Sequence, residues 1–462
     1  MINLLRRKAF DVLMEWKGRV HKPLLVKVQK QVGKSFIIEA FARSNYLHFV
    51  RVDFSRYVEA RVVFSEGLFV DSIIKGLEAL YSDAVFEPGS TLIFFDGVQD
   101  CLYAYSSLKY FALDGRYDVI AAVSFLEIAL RRNDEVPGPS VPPGYTEHLT
   151  LHPLDFEEFL WAKGIGDDTI AMLRSCVHDR VPIPEDMHPF FDSRFREFMV
   201  VGGMPEAVRK YMETGESDRV FEIHQLLWDD IGSDVRRYST PNEAVKTMRC
   251  LNCIPERLAE SDKEFMKGDS GKTWRYLENL AWTRDAGIGN FCYRVSPREV
   301  SLIVREERDH FRIYLFDTGL LISRYGDPVR KAVAMGDSCT YSGSIAENIV
   351  AECMVKCGIT PRYFSKNKGD DRMELDFVTK IGRDLAVIEV KFWKDCGDPS
   401  LSKVPSVFKV DRKVMFEDTN IRISDDGVEH YSLYAAAFMD SMSDPIDIDS
   451  LMWTEPLDFD MV

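Results

Sequence analysis

A lysine and a serine after a short apolar stretch are the first residues of the chain that could do chemistry. Residues 28–35 have the sequence VQKQVGKS, follow the apolar stretch 24–28, and lead into an amphipathic stretch that begins at Lys34. The N–H groups of such a loop, together with the N-terminus of the next helix, form an anion site. Lys34 can then reach the outer phosphates of a nucleotide, and Ser35 can bind Mg²⁺. The loop residues expected to contact the nucleotide are Gln31, Val32, Gly33, Lys34 and Ser35.

Two more polar residues fall where a phosphate-binding loop would need them. Asp96 follows four apolar residues, which predicts a carboxylate at the C-terminal end of a buried strand, where a second contact to Mg²⁺ belongs. Ser124 ends the apolar stretch 117–124 and can act as a polar sensor of the γ-phosphate. The structural alternative is a loop without a ligand, in which Lys34 is solvated and Asp96 caps a neighbouring helix.

A second candidate site lies near the C-terminus. Glu389 and Lys391 are two residues apart in an apolar strand and therefore share one face, and Asp376 lies in the preceding strand. This pattern resembles the PD-(D/E)xK nuclease signature. In that resemblance Asp376 and Glu389 hold Mg²⁺, Lys391 helps to activate water, and Glu347 is an accessory ligand. The alternatives are a weak ion pair between Glu389 and Lys391 and a helix-capping role for Glu347.

The spacing around this second site also predicts a register. The stretches 373–381 and 385–393 should form an antiparallel hairpin with the two-residue loop Gly382-Arg383, because glycine suits the first position of a type II′ turn. That loop pairs Ile381 with Asp384 and sets Asp376 opposite Glu389. Two carboxylates so close repel each other unless a cation compensates, which is the physical argument for Mg²⁺ here.

The elements that would position these residues alternate in the first 150 residues. Apolar strands alternate with amphipathic helices there, which predicts a parallel sheet covered on both faces. The expected strands are 24–28, 49–53, 91–96 and 117–124, and the expected helices are 34–43 and 102–113.

The rest of the chain changes pattern twice. Residues 154–237 are mainly helical, with a turn at Gly202-Gly-Met-Pro205. Residues 240–335 then predict two helices and two strands, 291–296 and 311–316, with the charged stretch 305–309 as the loop between the strands. This order is typical of a winged helix. A further α/β segment follows, and the chain ends in an acidic tail.

Charge and cysteine content limit the classes of function. The net charge is −16, but residues 425–460 hold ten acidic residues and no lysine or arginine, whereas residues 1–34 hold nine basic residues. An acidic balance therefore does not exclude a local anion site. Nine scattered cysteines, an odd number, argue for a reducing cytoplasm. Cys250 and Cys253 are expected to be core residues of a helix rather than metal ligands, and no apolar run predicts a membrane span.

A string of motifs in order resembles the AAA-type ATPases of archaea and bacteria that carry a C-terminal domain of unknown function, number 4143. The resemblance covers about residues 4–438 and is carried by QVGKS (31–35), LIFFD (92–96), SLKYF (107–111), RYDVIA (116–121), PLDFEEF (153–159) and VGGMPE (201–206). It implies an α/β protein: a P-loop parallel-sheet AAA-like domain with a helical lid, then a winged helix and a restriction-endonuclease-like PD-(D/E)xK domain. It also implies ATP and Mg²⁺ as cofactors.

The predicted domains follow from these patterns. They are a P-loop domain (1–152), a lid (153–239), a winged-helix-like domain (240–335), a restriction-endonuclease-like domain (336–440) and an acidic tail (441–462). AAA-type domains often work as rings, so an oligomer is compatible with the resemblance.

The departures from the family fall on its chemistry. Val28 stands where the family has glycine, and Gly97 stands where the family has a catalytic glutamate. Val28 should disfavour any backbone conformation with positive φ, so a change to glycine should improve affinity. Gly97 cannot orient or deprotonate water, so Gly97→Glu should raise turnover. We therefore predict an ATP-binding protein with weak or absent hydrolysis, whose nucleotide state is coupled to a nuclease-like domain.

A DNA-binding or metal-dependent DNA-cleaving protein with a largely structural P-loop domain is the alternative. The basic residues that would contact phosphates in the winged helix are Lys272, Arg275, Arg284, Arg298 and Arg305, and glutamates interrupt them. An interaction scaffold with both sites silent is a third possibility. The tail beyond residue 441 should either pack on a basic surface, such as residues 1–34, or be mobile.

Overall fold

The computed structural model describes residues 5–29, 31–124, 144–260, 263–266, 277–296, 302, 306–366, 373–391, 401, 404 and 409–444. The described residues divide into two units. The first unit is drawn from residues 1–165, 194–291 and 309–352, and the second unit is drawn from residues 166–193, 292–308 and 353–462. The predicted lid is divided between them, and the predicted domain boundaries stay a prediction. None of the described helices combines the length and the apolar character needed to cross a membrane.

Strands and helices alternate in the N-terminal region as the apolar pattern predicts. In chain order the elements are α1 (Lys8–Lys17), β1 (Leu24–Val28), α2 (Lys34–Asn45), β2 (His48–Asp53), α3 (Val58–Ser65), α4 (Val70–Leu80), β3 (Thr91–Asp96), a 3₁₀ turn (Val98–Asp100), α5 (Leu102–Asp114), β4 (Asp118–Ser124) and β5 (Glu147–Leu151). The four predicted strands are therefore confirmed, and β5 is an addition.

These five strands form one parallel sheet in the order β2–β3–β4–β1–β5. Every residue of β3 is buried, because α1 and α2 cover one face and α3, α4 and α5 cover the other. Strands covered on both faces are largely apolar, which is why β1 is apolar except at Lys27 and β3 is apolar from Leu92 to Phe95.

The middle of the chain is mainly helical. Its elements are α6 (Phe156–Ala162), α7 (Asp167–Asp179), α8 (His188–Val201), α9 (Pro205–Thr214), α10 (Ser217–Tyr238), α11 (Pro241–Ala259), β6 (Phe265–Met266), α12 (Leu277–Asp285), β7 (Gly289–Val295), β8 (Glu306–Leu315), α13 (Thr318–Tyr325), α14 (Asp327–Met335) and α15 (Ser342–Lys356). Cys250 and Cys253 lie on α11, as expected. Burial raises the pKa of Cys250 to about 12 and that of Cys253 to about 11, so neither thiol is ionised at neutral pH.

The charged stretch predicted as a loop near residue 305 belongs to a strand instead, at least from Glu306 onward. Glu306 accepts a hydrogen bond from Arg362 Nε over 2.8 Å, and Glu307 accepts one from Arg294 Nη2 over 2.6 Å. Arg294 lies on β7, the neighbour of β8 in the sheet, whereas Arg362 lies on β9, one strand further, and cross-strand pairs of opposite charge stabilise a sheet. The glutamates therefore extend β8, and a wing loop over 306–309 is not observed.

The last elements belong to the second unit. They are β9 (Arg362–Lys366), β10 (Met373–Leu375), β11 (Phe377–Ile381), β12 (Asp384–Val390), β13 (Arg412–Glu417), β14 (Arg422–Ile423), β15 (Val428–Ser432) and a 3₁₀ segment (Leu433–Ser441). A sheet runs in the order β11–β12–β13–β15–β14. In it β11 and β12 are antiparallel, whereas β12, β13 and β15 are parallel. The acidic tail was predicted for residues 441–462. Its residues beyond 444 lie outside the part of the chain that the structure describes, so the prediction is not tested.

Candidate functional site

The sheet face that α2 covers collects the polar residues at the strand ends. Leu92 and Phe94 of β3 pack with α1 and α2, whereas Ile93 and Phe95 pack with α3, α4 and α5. Because side chains alternate along a strand, Asp96 continues the face of Leu92 and Phe94. Its carboxylate therefore points towards the start of α2, where the predicted phosphate-binding loop ends.

Asp96 is the residue on which the predicted loop contacts converge. Lys34 Nζ lies 2.7 Å from Asp96 Oδ1, and Ser35 Oγ donates a hydrogen bond to Asp96 Oδ2 over 3.1 Å. Asp96 itself is only 5% exposed. The structure thus brings together three of the predicted residues. The alternative, in which Lys34 is solvated and Asp96 caps a helix, does not match these contacts.

Arg51, in the middle of β2, is a fourth member of this cluster that sequence reasoning missed. Its Nη2 lies 2.6 Å from Asp96 Oδ2, and its Nη1 lies 2.8 Å from Glu39 Oε1 on α2. Asp53 Oδ2 is 3.5 Å from the same Nη2. Partial burial opposes the charge, but the carboxylates of Asp96 and Asp53 outweigh it and raise the pKa of Arg51. The guanidinium therefore stays charged.

The backbone of the loop turns at Gln31 and Gly33. Gln31 has φ +60° and Gly33 has φ +84°, both left-handed, and a left-handed conformation costs a residue with a side chain about 1–2 kcal/mol. Val28, by contrast, is the last residue of β1, pairs with Ser124 and is 3% exposed. The expectation that Val28 strains the loop is therefore wrong. Val28→Gly would remove core packing and relieve nothing.

Hydrogen bonds to other parts of the first unit hold this loop in place. Gln29 Nε2 donates to the carbonyl of Gly287 over 2.7 Å, and Gln31 Nε2 donates to Asp230 Oδ2 over 2.8 Å. Arg7 is 6% exposed and donates from Nη1 to the carbonyl of Val32 over 3.2 Å. The loop conformation is therefore fixed from three directions.

Two adjoining pockets open on either side of the loop. The phosphate pocket, as we name the first, has a volume of 310 Å³ and is lined by residues 28, 29 and 31–36 together with Ser124. Ser124 pairs with Val28 across β4 and β1, which places its hydroxyl at the start of the loop, where a sensor of the outer phosphate was predicted.

The second pocket, named the base pocket here, was missed by sequence reasoning. It has a volume of 380 Å³ and shares Gln31, Gly33 and Phe36 with the phosphate pocket. Its other lining residues are Leu5, Arg7, Ile37, Pro205, Glu206 and Arg209. Four apolar and three charged side chains thus line a pocket next to the loop, and pockets of mixed lining of this kind are common binding sites for small molecules.

The Gly202-Gly-Met-Pro205 turn delivers Pro205 to this pocket. A Cβ atom at Gly203 would lie 2.1 Å from the carbonyl oxygen of Leu154, so only glycine fits there. Gly203 N–H donates to Asp317 Oδ2 over 2.7 Å, and Leu154 N–H donates to the Gly203 carbonyl over 2.7 Å. The turn noted in the sequence is thus a structural requirement that positions the start of α9 beside Gly33.

Gly97, where the resemblance expects a catalytic glutamate, differs in backbone as well as in side chain. It has φ +73°, and its carbonyl accepts a hydrogen bond from Asp100 N–H over 2.9 Å. A Cβ atom built on Gly97 would lie 3.6 Å from Asp100 Oδ2 and 3.5 Å from Gln99 Nε2. Gly97→Glu would therefore be strained and would not direct a carboxylate as an ordinary strand end does. With this backbone conformation we expect no gain in the rate of ATP hydrolysis from Gly97→Glu.

The donor groups at Asp96 suit Mg²⁺ in type, but both carboxylate oxygens already face cations. The Ser35 hydroxyl and the Asp96 carboxylate are oxygen ligands of the kind that Mg²⁺ prefers. However, Lys34 occupies Oδ1 and Arg51 occupies Oδ2. A divalent cation at Asp96 would have to displace Arg51, so these residues as arranged do not fit the ion. The predicted Mg²⁺ contact through Ser35 and Asp96 stays a prediction.

The turn and the register predicted at Gly382 are observed from Phe377 onward. Ile381 pairs with Asp384, and Phe377 pairs with Ile388, while Gly382 has φ +61° as a two-residue turn of this kind requires. The predicted strand 373–381 is interrupted, however, because Asp376 is a bend between β10 and β11, which belong to different sheets. The pairing of Asp376 with Glu389 therefore stays a prediction. Asp376 Oδ2 accepts a hydrogen bond from Val390 N–H over 2.9 Å. Glu389 is only 3% exposed, and Lys391, half-buried, follows directly after β12.

Glu347, the predicted accessory ligand, has other partners in the first unit. Its carboxylate forms an ion pair with Lys263 and accepts a hydrogen bond from the Tyr314 hydroxyl over 3.1 Å. Burial alone would raise the pKa of Glu347, but the charges of Lys263 and Arg312 lower it. Ser344 Oγ donates to the Tyr341 carbonyl, and α15 begins at Ser342, so the capping alternative is not observed either.

The predicted three-ligand metal group is not present among the residues that the structure describes. Within those ranges, no three His, Cys, Asp or Glu side chains come together as metal ligands. Of the basic residues expected to contact DNA, only Arg284 lies within the described ranges. It forms an ion pair with Asp285 at 2.9 Å.

Comparison with known families agrees with the N-terminal geometry. Residues 20–160 match the family model of an AAA domain, and this range contains β1–β4, the loop and Asp96. The N-terminal region is therefore similar to AAA domains over residues 20–160. Residues 192–328 match a different family, a domain of unknown function called DUF8612. The resemblance to the family with domain 4143, and with it the winged helix and the nuclease-like domain, is therefore not confirmed.

The solved structures that match the chain include two proteins of low sequence identity, both with TM-scores below 0.5. The Walker-type ATPase of Pyrococcus abyssi is 14% identical, with 70% of this chain and 96% of that chain covered and a TM-score of 0.40. DnaA from Aquifex aeolicus, solved with AMPPCP, is 12% identical, with 61% of this chain and 78% of that chain covered and a TM-score of 0.24. No curated protein matches the chain.

Proposed function

We propose that the protein binds a nucleoside triphosphate, ATP by the family resemblance, and hydrolyses it slowly or not at all. The observation that carries the proposal is the convergence of Lys34, Ser35 and Asp96 at the end of a left-handed loop, between two adjoining pockets. Such a loop presents consecutive N–H groups and the N-terminus of α2 to an anion.

Each part of the nucleotide has a matching part of the site. The triphosphate lies along residues 31–35, and Lys34 exchanges its contact with Asp96 for the outer phosphates. The Ser124 hydroxyl contacts the γ-phosphate from β4. The base packs between Phe36 and Pro205 in the base pocket, where Arg209 contributes positive charge.

Slow turnover follows from the backbone at Gly97. No carboxylate is attached at the residue after Asp96, and the left-handed turn there leads the chain away from the strand direction. Loss of a group that activates water typically lowers a rate by about 10²–10⁴. Binding without appreciable hydrolysis suits a nucleotide-dependent switch, and the predicted coupling to the C-terminal domain is part of this proposal.

Isothermal titration with ATP tests the proposal. Lys34→Ala should weaken ATP binding by about tenfold or more, because a charged hydrogen-bond donor to phosphate is lost. Lys75→Ala, which removes an exposed lysine of α4 in the same domain, is the matched control and should leave affinity unchanged. No heat of binding in the wild-type protein, or equal affinity in both variants, would contradict the proposal.

A second candidate function is metal-dependent DNA cleavage by the second unit. The observation that favours it is the hydrogen bond from Val390 N–H to Asp376 Oδ2, which holds the Asp376 carboxylate beside the end of β12, next to Glu389 in the chain. Nicking of supercoiled plasmid in the presence of Mn²⁺ or Mg²⁺, lost in Glu389→Gln, is the expected result. Cleavage that persists in this variant would come from a contaminant or from another site and would exclude this assignment.

A further inference from the structure

Arg51 occupies the position at Asp96 that matters most for a divalent cation. Asp96 Oδ2 receives both the Ser35 hydroxyl at 3.1 Å and Arg51 Nη2 at 2.6 Å. In phosphate loops generally, the serine hydroxyl and this aspartate are the protein groups that hold Mg²⁺ next to the triphosphate. Here a guanidinium nitrogen lies beside both groups.

The guanidinium is held in this position by more than one carboxylate. Glu39 lies one helical turn after Ser35 on α2 and accepts from Arg51 Nη1 at 2.8 Å. Asp53 pairs with Asp96 across β2 and β3, and its carboxylate lies 3.5 Å from Arg51 Nη2. The Arg51 side chain therefore spans from α2 to the ends of two strands, which fixes its direction.

The same side chain can still reach an anion. Arg51 is 36% exposed on its side chain, and Nη1 carries two hydrogens, of which Glu39 takes one. An arginine fork binds a carboxylate and a phosphate oxygen at the same time, because its donors lie in one plane and point in different directions. Arg51 does not line the phosphate pocket itself, but it contacts the same Asp96 oxygen as Ser35, which does line it. A phosphate oxygen bound at Ser35 would therefore lie close to a positive charge that is already oriented.

We propose that Arg51 supplies at this site the positive charge that Mg²⁺ supplies in other phosphate loops, so that the triphosphate binds without a divalent cation. This inference rests on the proposed function, because it concerns the same triphosphate in the same loop. It also agrees with slow turnover, since Arg51 has no group that could accept a proton from an attacking water.

The first experiment compares ATP affinity of the wild-type protein in excess Mg²⁺ and in EDTA, by isothermal titration. We expect the dissociation constant to change by less than about threefold between the two conditions. A loss of about tenfold or more in EDTA, with binding intact in Mg²⁺, would overturn the role of Arg51 and leave the proposed function standing. Absence of ATP binding in both conditions would overturn both.

The second experiment uses variants. Arg51→Gln should weaken ATP binding in EDTA by about tenfold or more, and Mg²⁺ should restore part of the affinity because the Asp96 oxygen becomes accessible to it. The ATP affinity of Arg51→Lys in EDTA should lie between that of the wild-type protein and that of Arg51→Gln. Arg116→Gln is the matched control, since Arg116 also pairs with two carboxylates, Asp71 and Asp114, but precedes β4 at the opposite end of the strands. Unchanged affinity of Arg51→Gln in EDTA would contradict the proposal.

Discussion

Each unit places candidate acidic residues at one of its sheets, but the surroundings of these residues differ. In the first unit Asp53 and Asp96 are partners across the parallel strands β2 and β3, and Arg51 lies within reach of both. In the second unit Asp376 lies at the bend between β10 and β11 and accepts a hydrogen bond from Val390 N–H, while Glu389 on β12 is 3% exposed.

The difference shows that the position of acidic residues does not by itself define a metal site. The carboxylates of Asp53 and Asp96 have Arg51 as a compensating charge, and we expect this arrangement to suit an anion such as a triphosphate. Metal binding at Asp376 and Glu389 stays a prediction of the sequence pattern. The following predictions test that distinction.

Removal of Arg51 should have the largest effect on stability. Arg51→Met leaves Glu39, Asp53 and Asp96 without their shared cation, which should lower the free energy of unfolding at neutral pH by about 2 kcal/mol, less than for a fully buried pair because the site is partly exposed. Urea denaturation measures this. The double variant Arg51→Met/Asp53→Asn should recover part of the lost stability. If Arg116→Met lost as much stability as Arg51→Met, the carboxylates around Arg51 would depend on their cation no more than an exposed ion pair does.

Divalent cations should stabilise the second unit by a somewhat smaller amount. Mg²⁺ at about ten times its dissociation constant should contribute about 1.4 kcal/mol, seen as a rise in the melting temperature of the wild-type protein. Asp376→Asn and Glu389→Gln should each abolish the rise. Asp425→Asn, at an exposed position, should retain it. An equal rise in all four proteins would indicate nonspecific binding.

A side chain at Gly97 should cost about 1 kcal/mol of stability without a gain in turnover. Gly97→Glu forces a left-handed conformation on a residue with a side chain. Gly97→Asn, which tolerates this conformation better, should be less destabilised. If Gly97→Glu raised the rate of ATP hydrolysis tenfold, the backbone at this turn would have rearranged and our account of it would be wrong.

The smallest expected effect concerns acid stability. Partial burial opposes ionisation of Asp53, but hydrogen bonds from Ser55 and from the N–H of Arg56 outweigh it and lower the pKa of Asp53 below its ordinary value. Stability from this group is therefore present above the ordinary pKa of an aspartate and is lost as the pH falls through the lowered value. In a plot of the free energy of unfolding against pH, Asp53→Asn should reduce the loss of stability at acid pH. If the variant lost as much stability as the wild-type protein, that loss would come from other carboxylates.

Local pattern predicted much of the first unit from the sequence. The mainly apolar stretches of β1 and β3 indicated buried parallel strands, and the position of Asp96 after the second of them placed its carboxylate at the loop. The hairpin register at Gly382 was also predictable, because turn geometry fixes it locally. By contrast, β5 (EHLTL) was missed, since it is an edge strand with partly exposed polar residues.

What the sequence could not provide was the set of long-range partners. Arg51 looked like an ordinary strand residue until its face was known. Only the observation that Val50 and Val52 pack on the opposite side directs Arg51 towards Asp96 and α2. Pro205 reaches the loop from more than 150 residues away, and Glu306 and Glu307 belong to a strand because arginines on other strands compensate them. None of these pairings leaves a local signal.

The close approach of Gly203 to Leu154 constrains how the molecule can move. The two backbones are joined by a hydrogen bond of 2.7 Å, and no space for even a methyl group remains between them. A rotation about this turn would drive one chain into the other. The turn is therefore rigid. If α9 and Pro205 move relative to the loop, Leu154 must move with them, and the hinge of that motion lies elsewhere in the chain.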